Sequence, residues 1–310
     1  MSMPKPFFSA LCAAALVAVP METAMGWPAD TPQPNQYVLP PASDEVRIEA
    51  AAAKERLKGT IVASRFVGHR GDSESAPENT VPAFKSAAEH GFNFETDLYL
   101  TKDGVIFASH DRYLRRPGSG MNTLATNAVW KGSLENASAG AWKGPEWAHV
   151  KYPTLDDILA FAAEGRFIIL EIKDPRKDMI MPLVKEALAR HPNVNPTNVV
   201  FQGGVDWISK NLPSYRAAAC GLPRRGWKIS SPPRNMVKWL SGISAKTHRL
   251  ISVRWDEELV TKEFVDIAHS RGLKVVVWTV NDVDSAWAAF GRGVDYVCTD
   301  RPLSLWKEMR

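Results

Sequence analysis

From residue 61 to the end of the chain, short apolar runs alternate with amphipathic stretches of helical period. Such alternation is the pattern of repeated βα units around a parallel sheet. The expected strands are Arg65–His69, Asn93–Leu98, Phe167–Ile172, Asn198–Gln202, Tyr215–Cys220, Leu250–Arg254, Lys274–Thr279 and Val294–Cys298. The expected helices between them include Thr80–His90, Leu155–Ala163, Met181–Arg190, Thr261–Arg271 and Asp282–Phe290. Eight strands with intervening helices point to a closed α/β barrel of the (β/α)8 type. The 310 residues would suggest two domains by length alone, but such a barrel commonly uses about 250 residues as one. An extra hairpin is expected after the second strand, where LYLTKDGVIFASHD turns at Asp103-Gly104 and runs back to His110.

Strand side chains alternate faces, so residues two apart share one. In FNFETDLYL, Phe92, Phe94, Thr96 and Leu98 lie on one face and Asn93, Glu95 and Asp97 on the other. In FIILEIK, Ile168, Leu170 and Ile172 share a face, which leaves Ile169, Glu171 and Lys173 opposite. Barrel interiors are filled mostly by branched apolar side chains, and barrel enzymes keep their active sites at the C-terminal ends of the strands. Glu95, Asp97, Glu171 and Lys173 occupy late interior positions of two strands. Charges are rarely buried unless paired or bound to metal. For one residue alone, a structural ion pair or a solvated loop acid is an equally good account. Three carboxylates meeting at one rim repel unless a cation holds them, and hard oxygen ligands favour Mg²⁺ or Ca²⁺.

The first strand ends in His69 and Arg70, at the same rim. His110, at the end of the return hairpin, can be brought over it. A lone histidine in a sheet is more often structural. Here two imidazoles, a guanidinium, an ammonium and an acid cluster converge, the parts needed for metal-assisted phosphoryl chemistry.

The rest of the chain bears on context. Lys5 followed by the apolar run FFSALCAAALVAV, then Ala24-Met25-Gly26, has the outline of a secretory signal with cleavage near Gly26. That run is too short for an ordinary membrane span, so an exported protein, periplasmic or secreted and without a stable membrane anchor, is expected. Residues 27 to 42 carry five prolines and read as a linker, and DEVRIEAAAAKERLKG, after the polar Ser43, reads as a leading helix with a packing role. The net charge of +4 is too slight to argue for nucleic acid as a partner. Cys220 and Cys298, which remain after the leader, sit in apolar strand-like runs and are expected as buried free thiols. No residue pattern speaks to oligomeric state.

The motifs together resemble the glycerophosphodiester phosphodiesterase family. The matching pieces, in order, are HRG followed by PENT across Gly68 to Thr80, ETD at 95–97, TKDGVIFASHD at 101–111, PTLDDIL at 153–159, LEIK at 170–173, WTVND at 278–282 and GVDYVCTDRP at 293–302. The resemblance covers about residues 61 to 302. It implies a TIM barrel with a small cap insertion after the second strand, here residues 112–150 with Trp130, Trp142 and Trp147. It implies one divalent cation, Mg²⁺ or Ca²⁺, held by Glu95, Asp97 and Glu171. It implies His69 and His110 as an acid–base pair, Arg70 and Lys173 on the phosphate, Glu78 and Asn79 ordering the first loop or touching the substrate, and Trp278 lining the pocket. The implied reaction is hydrolysis of a small-molecule glycerophosphodiester to glycerol 3-phosphate and an alcohol. A lysophospholipase D acting on lipid-like substrates is the alternative enzyme, and a degenerate barrel that binds phosphate without turnover is the non-enzymatic one. Two departures concern the pocket wall: Gly203-Gly204 stand where the family usually has a Ser-Phe pair, and residues 221–247 have no counterpart.

Overall fold

The computed structural model describes residues 41–221 and 238–310. The proposed leader, most of the proline-rich segment and much of the basic loop after Gly221 lie outside the described residues. The strands in chain order are β1 (Phe66–Gly68), β2 (Asn93–Leu100), β3 (Ile106–Ala108), β4 (Tyr113–Leu114), β5 (Thr123–Leu124), β6 (Ile168–Ile172), β7 (Val199–Gln202), β8 (Arg216–Gly221), β9 (His248–Arg254), β10 (Lys274–Trp278) and β11 (Tyr296–Thr299). Eight of them run parallel, and β1 pairs with both β2 and β11, which closes the ring. Strand β3 folds back antiparallel on the upper part of β2, with Leu98 opposite Ala108 and Leu100 opposite Ile106. The expected barrel and its hairpin are therefore both present.

The helices are α1 (Asp44–Leu57), α2 (Val81–Glu89), α3 (Leu155–Ala163), α4 (Lys177–Arg190), α5 (Val205–Asn211), α6 (Lys262–Ser270), α7 (Val283–Gly291) and α8 (Pro302–Glu308). Their starts are legible as caps. Thr154 and Asp157 form a reciprocal capping box on α3, and Ser43, Thr261 and Asp282 accept backbone N–H bonds at the starts of α1, α6 and α7. Period-two alternation then sorts the strand residues. Val67, Ile169, Val200, Leu250, Val276 and Cys298 fill the barrel interior. Phe66, Phe94, Leu170, Phe201, Ile251 and Val275 face outward onto the helices.

Several boundaries differ from those expected. Strand β1 starts at Phe66 because Ala63–Arg65 form a 3-10 turn. The Arg65 guanidinium donates to the carbonyls of Val294 and Asp295, which holds those residues below β11. Helix α4 begins one turn early, at Lys177. Helix α5 was not expected; the chain reaches it through Gly203 and Gly204, with φ of 97° and 72°, a left-handed turn that glycine makes without steric cost. Both cysteines are free thiols, as expected, and Cys298 is buried. Cys220, next to the last residue of β8, is exposed.

The insertion folds as a small cap with its own core, in which Leu114, Ala125 and Leu134 pack with Tyr99, Phe107 and Tyr152 of the barrel side. Helix α1 lies against α7. Arg292 clamps it there, with its Nε and Nη2 donating to Glu49 at 3.0 and 2.7 Å and its Nη1 to the carbonyls of Glu257 and Val260. Among the described residues no helix is long and apolar enough to cross a membrane.

The α1–α7 contact is close enough to be tested. A Cβ on Gly291 would stand 2.7 Å from the Ala53 Cβ. Overpacking of this kind typically costs about 1–3 kcal/mol. Gly291→Val is therefore expected to lower stability by that amount in urea denaturation followed by circular dichroism. An unchanged midpoint would mean that α1 does not pack as described.

Candidate active site

The upper rim is built on the register between β2 and β6, which sets Asp97 beside Glu171 and Glu95 beside Ile169. Paired residues of neighbouring parallel strands face the same way, so all three acids enter the barrel mouth. Their oxygens come within 4.8 Å of one another. Glu95 and Asp97 are buried, Glu171 partly so. Glu95 Oε2 accepts from the Arg70 backbone N–H at 3.1 Å. Its Oε1 is buried and has no hydrogen-bond partner among the described residues. An unpaired buried carboxylate oxygen facing two other acids makes a donor set that could hold a cation.

Two cations stand against this charge. Lys173 Nζ lies 2.9 Å from Glu171 Oε1 and 3.4 Å from Asp97 Oδ1. Arg70, itself buried, places Nε 3.4 Å from Asp97 and donates from Nη1 to Glu78 at 3.0 Å. The consequences for protonation diverge. Burial, together with Asp97 and Glu171, pushes the Glu95 carboxyl well above the usual range, despite Arg70 and Lys173. Burial acts upward on Asp97 as well, but Arg70, Lys173, His110 and the Asn79 amide outweigh it and hold that carboxyl low. Burial works against the charge of Lys173, yet its acid neighbours raise its pKa and keep it an ammonium. The structure thus places Arg70 and Lys173 on carboxylates at the rim.

The loop after β1 is a tight clip. A Cβ at Gly68 would stand 2.4 Å from the Gly71 carbonyl oxygen. Arg70 and Asn79 hold φ of 62° and 54°, a left-handed conformation that costs a non-glycine residue about 1 kcal/mol or more. Surrounding bonds hold both. The Asn79 N–H donates to the Arg70 carbonyl, its Nδ2 donates to Asp97 Oδ2 at 3.0 Å, and its Oδ1 accepts from Thr96 Oγ1 and the Asp97 N–H. Asn79 therefore orders the loop and aims Asp97 in one act.

Both histidines reach this rim. His69 Nδ1 lies 2.7 Å from Asp300 Oδ1. Asp300 is steadied in turn by Asn281, which donates to its Oδ2 at 2.7 Å and accepts from its N–H and from Thr299. Burial would raise the Asp300 carboxyl, but His69, Asn281 and Arg70 outweigh it and hold it below the usual range. His110 Nδ1 lies 3.3 Å from Asp111 Oδ1. The side chains of His69 and His110 are 18% and 29% exposed, so both can meet a solvent-borne substrate. With Nδ1 facing a carboxylate, Nε2 of each ring is left for a reacting group. Trp278 ends β10, packed on the barrel's apolar layer, with its indole nitrogen buried and unpartnered among the described residues.

Residues 69–304 match the Glycerophosphoryl diester phosphodiesterase family. The chain belongs to that family. It is similar to the glycerophosphodiester phosphodiesterase of Bacillus subtilis, with 30% identity over 76% of this chain and 83% of that one. It is likewise similar to that of Caldanaerobacter subterraneus subsp. tengcongensis, with 27% identity over 77% and 95%. Among solved structures it resembles an Oleispira antarctica phosphodiesterase in complex with its product, sn-glycerol-3-phosphate, with TM-score 0.63 and 22% identity over 82% and 98%. This member of the family is a phosphoric diester hydrolase.

The sequence pointed to ten site residues, and it did not single out Asn281, Asp300, Asp111 or Arg116. Three of the four lie within motifs just past strands: Asn281 in WTVND after β10, Asp300 in TDRP after β11 and Asp111 in HD at the hairpin's end, whereas Arg116 lies in the cap outside these motifs. A polar residue just past a barrel strand was the available signal.

The raised Glu95 carboxyl has a consequence for stability. A carboxyl whose folded pKa lies above its unfolded value opposes folding, increasingly as pH rises from the unfolded value towards the folded one. Below the unfolded value the penalty vanishes. Glu95→Gln removes it. In chelator at pH 7 this variant is expected to melt higher than the parent, where about 1 kcal/mol corresponds to ~2–4 °C. At pH 4 the difference should shrink. A lower melting temperature at pH 7 would show that the cluster carries no repulsion.

Proposed function

We propose that this enzyme hydrolyses glycerophosphodiesters to glycerol 3-phosphate and an alcohol, with a divalent cation on Glu95, Asp97 and Glu171. The observation that carries the reading is the orphaned Glu95 Oε1 between two further acids, at a rim that also holds two carboxylate-backed imidazoles. An all-oxygen donor set suits Mg²⁺ or Ca²⁺. When bound, such an ion supplies Lewis-acid stabilisation of charge on phosphate oxygens. Arg70 and Lys173, both kept charged by their acid neighbours, add fixed positive charge for the same purpose. The product seen with the Oleispira antarctica relative supports the glycerol 3-phosphate half of the substrate. The leader-like first 26 residues favour an exported enzyme.

His69 and His110 move the protons. One imidazole Nε2 takes the proton from the attacking hydroxyl as its oxygen bonds to phosphorus; the attacker is water, or the neighbouring glycerol hydroxyl, in which case the cyclic phosphate that forms is then opened by water. The other gives a proton to the departing alkoxide as its bond to phosphorus breaks. We assign the base to His69, whose Asp300 partner at 2.7 Å stabilises the imidazolium that forms. His110, delivered by the hairpin, then serves the leaving group.

Losing a general acid or base typically costs about 10²–10⁴ in rate. A nitrophenolate leaves as a stable anion and needs almost no proton. His110→Ala is therefore expected to show that loss on glycerophosphocholine and much less on a nitrophenyl phosphodiester. His69→Ala should lose comparable rate on both. If neither variant separates the two substrates, the histidines do not act as an acid–base pair.

A further inference from the structure

The two histidines are held by different parts of the protein. Asp300, behind His69, is fixed by Asn281 and by the end of β11, all within the barrel. Asp111, behind His110, is the next residue in the chain. A neighbouring side chain with its own free torsions cannot aim a ring unless something holds it in turn. Among the described residues, the side chain that does so is Arg116 of the cap, whose Nε donates to Asp111 Oδ2 at 2.6 Å.

Arg116 is locked on three sides. Its Nη2 donates to Glu78 Oε1 at 2.6 Å, and that same oxygen accepts from Arg70. Its guanidinium lies 4.6 Å from the ring centroid of Trp142, a stacking that favours arginine over lysine. The side chains of Arg116 and Glu78 are only 14% and 2% exposed, so these bonds form with little water to compete. Burial acts upward on the Asp111 carboxyl, yet its bonds to His110 and Arg116 hold it well below the ordinary range, so it meets the imidazole as an anion.

The geometry points to Arg116 as a positioning residue for His110, acting through Asp111 and anchored by Glu78 and Trp142. This role rests on the acid–base reading above. It makes the cap a working part of the catalytic rim: the insertion supplies the group that aims one of the two imidazoles.

A double-mutant cycle tests it, with kcat and KM measured on glycerophosphocholine for Arg116→Met, Arg116→Lys, His110→Ala and Arg116→Met/His110→Ala. Loss of an orienting partner typically costs about 10–100-fold. Arg116→Met is expected to lose that much in kcat, with KM moving less than about threefold. Arg116→Lys, which can serve only one of the two acids at a time, should fall between it and the parent. Residues acting as one unit are not additive, so the double variant should lie within about threefold of His110→Ala. If instead the double variant falls below His110→Ala by the full Arg116→Met factor, the positioning role is wrong while the acid–base reading stands. If His110→Ala keeps the parent rate, the acid–base reading fails and takes this role with it. Should Arg116→Met not fold, the same cycle is run with Arg116→Lys, and the same additivity decides.

Discussion

Three carboxylates crowded at the mouth of a barrel form the constraint around which the site is arranged. Strand pairing alone creates the crowding, because the register that zips β2 to β6 sets Asp97 against Glu171 with Glu95 beneath. Like charges at such distances in a partly buried site repel strongly. The two rim cations answer only part of the charge. Lys173 pairs with Glu171 and Asp97, Arg70 with Asp97 and Glu78, and the Glu95 carboxyl is still driven upward. A site that is poor for stability without a cation is well made for holding one.

The surroundings of the cluster follow from the same demand. Asn79 and Arg70 sit in a left-handed backbone conformation that would be costly elsewhere. Here each is held by bonds to the acids or to the other, so local strain is spent on aiming Asp97 and on meeting Glu95 with a backbone N–H. The histidines extend the pattern outward, each backed by an aspartate. The barrel sets His69, and a cap that shares a carboxylate with Arg70 sets His110. Protein charge is thus balanced along one connected chain of ion pairs, from Lys173 through Asp97, Arg70 and Glu78 to Arg116 and Asp111.

Much of this was legible in the residues, and the reason is periodicity. Alternation by two separated Glu95 and Asp97 from Phe94 and Leu98, and Glu171 from Leu170, before any coordinates were needed. The hairpin that returns His110 was carried by Asp103-Gly104. What periodicity does not encode is contact between residues far apart in sequence. Asp300 behind His69 and Arg116 between Asp111 and Glu78 depend on how loops close over the rim. Cys220, expected to be buried, is exposed, because an apolar neighbourhood in sequence does not by itself report burial. Helix α5 was missed because a Gly-Gly pair reads as a break, whereas here it is the turn that starts a helix.

The central claim is that the acid cluster exists to hold a divalent cation on which hydrolysis depends. The most direct test is to strip the protein with chelator, remove the chelator, and follow glycerol 3-phosphate release from glycerophosphocholine as Mg²⁺ or Ca²⁺ is titrated back. The account predicts no turnover in the stripped protein and saturable recovery with one of these ions, abolished in Glu95→Gln. Full turnover by thoroughly stripped protein would contradict it.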